Sequence, residues 1–359
     1  MMRRLKDEKF DLGISEAFSF CGFGVFDKIG LQKHLSAFNT EIFEAFTEPY
    51  GISYNPSHVP GKDLFCILSR NLPFQQILKE RIILSRSYLS CKEILANCPF
   101  IFVNTNILFE FPRELNSKIV FVSGISASQS NSLDEDFQRL MDASTGGVVL
   151  VSFGTIALSS QMPPDLKSAF VSAFQHFPEI TFIWKYELDD EVASDLPNVI
   201  KRKWVPQSAL LGHRNMRAFI SHCGTNGLSE SVNAGIPMVC VPLFFDQIRS
   251  AKKLEKQHTA FIIHKHNLTA QSLQWAIRTI LYEKSYSISA RRLSAMTKDV
   301  MIPLEEQINR HAKVAINMRK VEKLDPSGRR LNYFQFFLVD LTAIPLILII
   351  LLGANLCDL

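Results

Sequence analysis

Apolar residues in this chain fall into short runs separated by longer, helically periodic stretches. From residue 148 onward the runs are dense: VVLVSF (148–153), TFIWKY (181–186), VIKRKW (199–204), RAFIS (217–221) and MVCVP (238–242). Runs without polar alternation suit strands covered on both faces, as in a parallel sheet sandwiched by helices. Their alternation with helical stretches predicts a doubly wound α/β domain over 133–325. Thr269 is placed to cap a helix over 270–282, where Leu273, Ala276, Ile277, Ile280 and Leu281 share a face. Residues 287–323 read as charged helix.

The first third is sparser. FDLGIS (10–15), 101–104 and 119–122 read as strands, 17–31 as a glycine-interrupted turn into a helix, and 72–95 as one or two helices. Residues 49–61 hold three prolines and two glycines and read as loop. These elements predict an incomplete α/β domain over 1–125, its opening strands missing. The polar run SASQSNS predicts a linker at 126–132. Phe336 to Ala354 is interrupted only by Asp340, Thr342, Pro345 and Gly353, which predicts a membrane-spanning helix over 333–355. The opening MMRRLKDEKF is charged with no apolar core behind it, unlike a secretory signal.

Composition narrows the function. With 47% hydrophobic and 21% charged residues the chain is globular, and 359 residues leave room for two domains and an appendage. A net charge of +4 without a basic block argues against a nucleic-acid partner. Seven cysteines include no CxxC pair, which argues against zinc; most are expected to be buried apolar fillers, although Cys91 and Cys98 are close enough in sequence to meet. No GxGxxG follows a predicted strand, which argues against a nicotinamide enzyme.

The candidate chemistry is concentrated between Trp204 and Gln247. RAFISH, CGTNGLSESVNAG and IPMVCVP read as strand, glycine turn, helix and strand. The helix would start at a strand's carboxyl end, where unsatisfied N–H groups suit a phosphate. His222 is placed to donate to a diphosphate; Gly224, Asn226 and Gly227 would allow close backbone approach. Glu230 suits ribose hydroxyls, and Asp246 with Gln247, after the next strand, suits sugar hydroxyls. Trp204 offers a face for a base and Gln207 lies beside it, while Ser152 ends an earlier strand at the same edge. One at a time these residues have plainer readings: a packing tryptophan, a core histidine, turn glycines, and Asp246 as a helix cap. Their joint spacing favours a site.

That spacing resembles the UDP-glycosyltransferases, in particular the membrane-bound UDP-glucuronosyltransferase branch. The matching positions are Trp204, Pro206, Gln207, Leu210, Leu211, His213, Phe219 to His222, Gly224, Asn226, Glu230, Gly235, Pro237, Pro242, Asp246 and Gln247. The resemblance implies a GT-B-type glycosyltransferase with two Rossmann-like domains. Trp204 would face uracil, Gln207 and Glu230 ribose, His222 with Gly224, Asn226 and Gly227 the diphosphate, and Asp246 with Gln247 the sugar. It further implies inverting, metal-independent transfer of glucuronic acid or glucose from a UDP-sugar co-substrate to a hydroxyl of a small lipophilic acceptor, with no bound cofactor. A C-terminal anchor would hold the domains in the endoplasmic reticulum lumen, alone or associated with itself or relatives. Basic residues before the apolar segment (Lys320, Lys323, Arg329, Arg330) point the other way on the positive-inside rule. A glycosylation triplet at Asn267-Leu268-Thr269 would support the lumen.

Within the family an acid near position 16, usually Asp, orients a catalytic histidine; here it is Glu16. That histidine lies on an early strand with no counterpart in this sequence. The expectation is therefore a chain that binds UDP-sugar and transfers it poorly alone, with a non-catalytic UDP-sugar-binding partner of full-length relatives as the alternative.

Overall fold

The computed structural model describes residues 1–18, 21–42, 50, 52, 93–123, 132–300, 302–317, 324–325, 332 and 335. Most of the predicted loop over 49–61, nearly all of 72–95, the linker up to residue 131 and the apolar segment 336–354 lie outside them. Among the described residues no helix is long and apolar enough to cross a membrane.

Two parallel sheets organise the chain. The first takes β1 (Gly13–Glu16), β2 (His34–Phe38), β3 (Ile101–Val103) and β4 (Ile119–Phe121) in that spatial order, every pairing parallel. A short helix α1 (Met2–Asp7) precedes it, and α2 (Cys21–Ile29) joins β1 to β2. Phe23 of α2 packs with Phe38, Ile101 and Val103 on one face of this sheet.

The second sheet is larger and has the order β10-β9-β8-β5-β6-β7, again wholly parallel. Its strands are β5 (Val148–Ser152), β6 (Thr181–Lys185), β7 (Val199–Arg202), β8 (Met216–Ser221), β9 (Met238–Cys240) and β10 (Ala260–Ile262). Helices α3 (Glu135–Ala143), α4 (Pro164–Gln175), α5 (Gln207–Leu211), α6 (Thr225–Ala234), α7 (Gln247–Lys256), α8 (Ala270–Tyr282) and α9 (Lys284–Val300) cover both faces. The run VVLVS explains itself here: every residue of β5 is buried. Val149 and Val151 pack under α4 and α8, while Val148 and Leu150 pack with Phe137, Leu228 and Leu254 on the opposite face.

Local chemistry fixes the helix ends. The Asp134 side chain accepts from Phe137 N at 2.8 Å to start α3, and Pro164 opens α4 where its missing N–H costs nothing. Thr269 caps α8 in a reciprocal capping box with Ser272, at the residue the sequence predicts. Gly235 ends α6 at φ +70°, a left-handed conformation that glycine adopts without steric cost.

The two sheets exchange parts. Helix α10 (Leu304–Asn317) returns from the second domain to the first, where Ala315 packs with Leu35, Phe102 and Val120. In the other direction Phe109, on the loop after β3, is buried among Phe137, Met141 and Leu210 of the second domain's core. One cysteine expectation is corrected: Cys223 and Cys240 are disulfide-bonded, with Cα atoms 5.5 Å apart. Cys240 ends β9 beside Ser221 of β8, and Cys223 lies two residues beyond Ser221 in the turn, so the pairing of the two strands brings the cysteines within bridging distance. Cys98 fits the filler reading, buried and free.

Candidate donor site at the switch point of the second sheet

Strand order in the second sheet reverses between β5 and β8. The chain first lays β5, β6 and β7 outward, then returns to place β8, β9 and β10 on the other side of β5. Connections leave the two central strands in opposite directions, which opens a crevice at their carboxyl ends. Ser152 and Ser221 are paired in register at that edge. The next residues, Phe153 to Gly154 and His222 to Gly224, form its rim.

His222 sits between two glycines. A Cβ at Gly154, which has φ +81°, would lie 2.9 Å from the His222 Cε1, and one at Gly224 would lie 2.6 Å from its Nε2. Only glycine leaves room for the ring on both sides. The Ser221 hydroxyl approaches Nδ1 at 3.3 Å. Burial holds the imidazole pKa down at about 4, so it is neutral at pH 7 and presents one N–H and one lone pair. The Ser152 hydroxyl turns inward instead, accepting from Gly154 N at 3.4 Å; it shapes the rim.

Gly224 is the residue before α6, and no side chain caps this helix. The first N–H groups of α6 therefore face the crevice with the positive end of the helix dipole behind them. Asn226 lies exposed on this first turn, and Gly227 is buried against Phe219 and the Gln207 amide. Gln207 and Glu230 meet in a hydrogen bond of 2.5 Å from Nε2 to Oε2. Burial raises the Glu230 pKa, opposed by the Gln207 amide.

Asp246 immediately precedes α7 but makes no side-chain cap bond. Its Oδ2 accepts from the Thr225 hydroxyl at 2.8 Å, which ties α7 to the first residue of α6. Burial raises its pKa, again opposed by that hydroxyl. Gln247 is buried, and its Oε1 accepts from Leu243 N at 2.8 Å and Phe244 N at 3.0 Å. It fastens the loop that presents Asp246. Trp204 stands at the far end of the crevice with 66% of its surface exposed.

Ser152, Trp204, Gln207, His222, Gly224, Asn226, Gly227, Glu230, Asp246 and Gln247 all belong to elements meeting at this one edge. Glu16 belongs to the first sheet, at the end of β1, where its Oε2 accepts from Phe18 N at 2.7 Å. A profile of the family described as "UDP-glucoronosyl and UDP-glucosyl transferase" matches residues 63–356. The chain belongs to this family.

Relatives in the family include UDP-glucosyltransferase 2 of Dactylopius coccus, 32% identical over 71% of this chain and 49% of that protein. UDP-glucuronosyltransferase 1-2 of Rattus norvegicus is 27% identical over 98% of this chain and 68% of its own length. The stretch matched to the insect protein is thus about half that protein's length. Among solved structures, UDP-glucose:anthocyanidin 3-O-glucosyltransferase in complex with UDP superposes with a TM-score of 0.63 at 18% identity, covering 86% of this chain and 76% of that one. Phytolacca americana UGT2 complexed with UDP-2fluoro-glucose and pterostilbene gives 0.63 at 18% identity, covering 88% and 78%. At that identity the likeness is one of fold, and the fold is GT-B-like with parallel sheets.

Three residues that touch these candidate groups were not legible as such in the sequence. Thr225 looks like an ordinary turn residue until its bond to Asp246 is seen. Lys185, buried at the end of β6, donates to Gly154 O at 3.0 Å and Glu187 Oε1 at 2.8 Å, and its Nζ lies 5.8 Å from the Trp204 ring centroid. A lysine ending an otherwise apolar strand was the available signal. Asn104 comes from the other domain, and no spacing within 204–247 could point to it.

Proposed function

We propose that this chain binds a UDP-sugar at the switch point of its second sheet and transfers the sugar to a hydroxyl of a small lipophilic acceptor held by the first. One observation carries the reading. An uncapped helix N-terminus, a neutral histidine seated between two glycines, a Gln207–Glu230 pair and an exposed indole all belong to elements at the carboxyl edge of the second sheet. The α6 N–H groups and His222 take the diphosphate, Gln207 and Glu230 the ribose, Trp204 the uracil, and Asp246 the sugar hydroxyls.

Transfer with inversion is an in-line displacement. A base removes the acceptor proton as the new C–O bond forms, and UDP leaves with the bonding electrons. Fixed donors placed where that charge develops, here the α6 terminus and the His222 N–H, stabilise the departing diphosphate without reorganising. Glu16 stands in the place of the acid that steadies a basic imidazole, an imidazole with no counterpart in this sequence. The matched relatives are transferases by name, which favours transfer over binding alone. Glucuronic acid and glucose both suit Asp246. The apolar run 336–354 supports membrane anchorage, and the Cys223–Cys240 bond fits an oxidising lumen.

The test is a product assay with UDP-glucose and UDP-glucuronate against a panel of phenols. Slow glycoside formation that disappears in Asp246→Ala is the expected result, since the basic imidazole has no counterpart in this sequence. Firm UDP binding with no glycoside from any phenol would overturn the transfer step.

A further inference from the structure

The loop after β3 reaches from the first domain into the donor site. Asn104, the residue after Val103, is 2% exposed, and its backbone N–H donates to Phe38 O at 3.0 Å. Its side-chain Nδ2 donates to Asn226 Oδ1 at 3.1 Å, across the domain boundary, and lies 3.3 Å from both Asn39 O and Asn39 Oδ1. Five residues on, Phe109 is buried in the second domain's core, Leu108 O accepts from Gln257 Nε2 at 3.2 Å, and Glu110 pairs with Lys253 at 2.5 Å. Asn104 is thus held from both sides.

These contacts form a relay of orientation. An amide side chain has a donor end and an acceptor end of nearly equal size, so its direction is set by its partners. Asn39 O is a main-chain carbonyl and can only accept. It therefore requires the Nδ2 end of Asn104 to face it. That same Nδ2 end meets Asn226, so the Asn226 amide must turn its Oδ1 toward Asn104. The end of Asn226 left for a ligand is then its N–H2 donor, on the exposed first turn of α6 beside the free helix N–H groups. Reversed, Asn226 would offer a carbonyl oxygen to the phosphates and repel them.

We propose that Asn104 is a positioning residue for the donor: through Asn226 it fixes an N–H2 group toward the diphosphate, so that the first domain completes the second domain's anion site. This rests on the reading of the crevice as a UDP-sugar site.

The experiment is calorimetric titration of the full chain with UDP and, as a probe without phosphate, with uridine. Variants are Asn104→Ala, Asn104→Asp, Asn226→Ala, the Asn104→Ala/Asn226→Ala double variant, and Trp204→Ala. An aspartate at 104 cannot donate and recruits the Asn226 N–H2 for itself, so Asn104→Asp weakens UDP by about tenfold or more, and Asn104→Ala by less. Uridine affinity stays at the wild-type level in both, which also certifies the fold. In the Asn226→Ala background, Asn104→Ala adds nothing. Asn226 is exposed, so its variants fold even where those at Asn104 do not; unchanged UDP affinity in Asn226→Ala would then overturn the proposal. Wild-type UDP affinity in the Asn104 variants, or a full Asn104→Ala loss persisting in the Asn226→Ala background, would equally overturn it. Loss of UDP binding in Trp204→Ala alone would separate that failure from failure of the donor site. A wild-type chain that binds no UDP would remove both.

Discussion

At the scale of single residues the site works by exclusion as much as by contact. Gly224→Ala would place a Cβ 2.6 Å from His222 Nε2, so the ring must move. We expect about a tenfold loss of UDP affinity in this variant, with the fold retained by circular dichroism, because an imidazole displaced by a fraction of an ångström no longer meets the phosphate. His222 also gives a pH signature. Its pKa is lowered to about 4 by burial, so the neutral ring is favoured in the fold. The stability that this provides is complete above the ordinary value near 6.5 and is lost as pH falls toward 4, by at most about 3 kcal/mol. A bound diphosphate reverses that preference by adding negative charge beside the ring. UDP affinity should therefore strengthen as pH falls from 8 to 5.5 more steeply in the wild type than in His222→Gln; equal slopes would contradict the assignment. Trp204, His222 and Glu230 were legible because their chemistry shows in the residue type. Thr225 was not, since a hydroxyl tying two helices leaves no mark on spacing; Gln247 was picked out as a sugar contact, but that its amide oxygen fastens a loop was not legible.

At the scale of elements, sequence and structure agree best where burial is complete. Most strands of the second sheet announced themselves because a strand covered on both faces is largely apolar, as Val148 to Val151 are. Two strands gave no such sign. In β2, His34 and Ser36 interrupt the run, and β10 is three residues long at the sheet's edge. The Cys223–Cys240 bond was equally hidden, because it joins the turn after β8 to the end of β9, residues 17 apart that sequence alone leaves unpaired. It braces the turn carrying His222 against β9. Closing a loop of that size is worth about 3 kcal/mol on the chain-entropy account. Cys240→Ser should lower the unfolding free energy of the second domain by about 2–4 kcal/mol and weaken UDP binding. An unchanged denaturation midpoint would argue that the bond contributes nothing.

At the scale of the whole molecule, the domains are joined through α7, the helix that starts beside Asp246. Its Arg249 and Lys253 meet Glu41, at 3.1 and 2.5 Å, and Lys253 also meets Glu110 at 2.5 Å. Arg113 approaches both carboxylates at 3.8 Å. These groups are almost wholly buried, and Lys253 is the cation that meets both carboxylates closely. Removing it leaves Glu110 with Arg113 at 3.8 Å as its remaining cation among the described residues, and should cost several kcal/mol, up to about 3–5. Lys253→Met should accordingly loosen the domain contact and speed limited proteolysis between the domains; wild-type protease resistance would contradict this. Burial, with Glu110 adding to it against Lys253 and Arg249, raises Glu41 to about 7. A raised carboxyl pKa gives stability that is full below the ordinary value near 4.5 and is lost as pH rises through 7. Burial alone would raise Glu110 too, but Lys253, Thr105 and Arg113 outweigh it, so Glu110 stays ionised in this window. The thermal midpoint of the wild type should fall between pH 5 and 8, and Glu41→Gln should flatten that fall. None of this clasp was legible in the sequence, because the cations of α7 lie more than a hundred residues from the carboxylates they meet and carry no motif.

The donor site at the β5–β8 switch point is the claim on which the rest depends, and calorimetry with UDP tests it most directly. UDP titrated into the wild-type chain should bind far more tightly than inorganic phosphate, because the uracil stacks on Trp204. Trp204→Ala should weaken UDP by roughly 1–3 kcal/mol and leave phosphate unchanged. Equal affinity for UDP and phosphate in the wild type, or a Trp204→Ala variant that binds UDP as tightly as the parent, would contradict it.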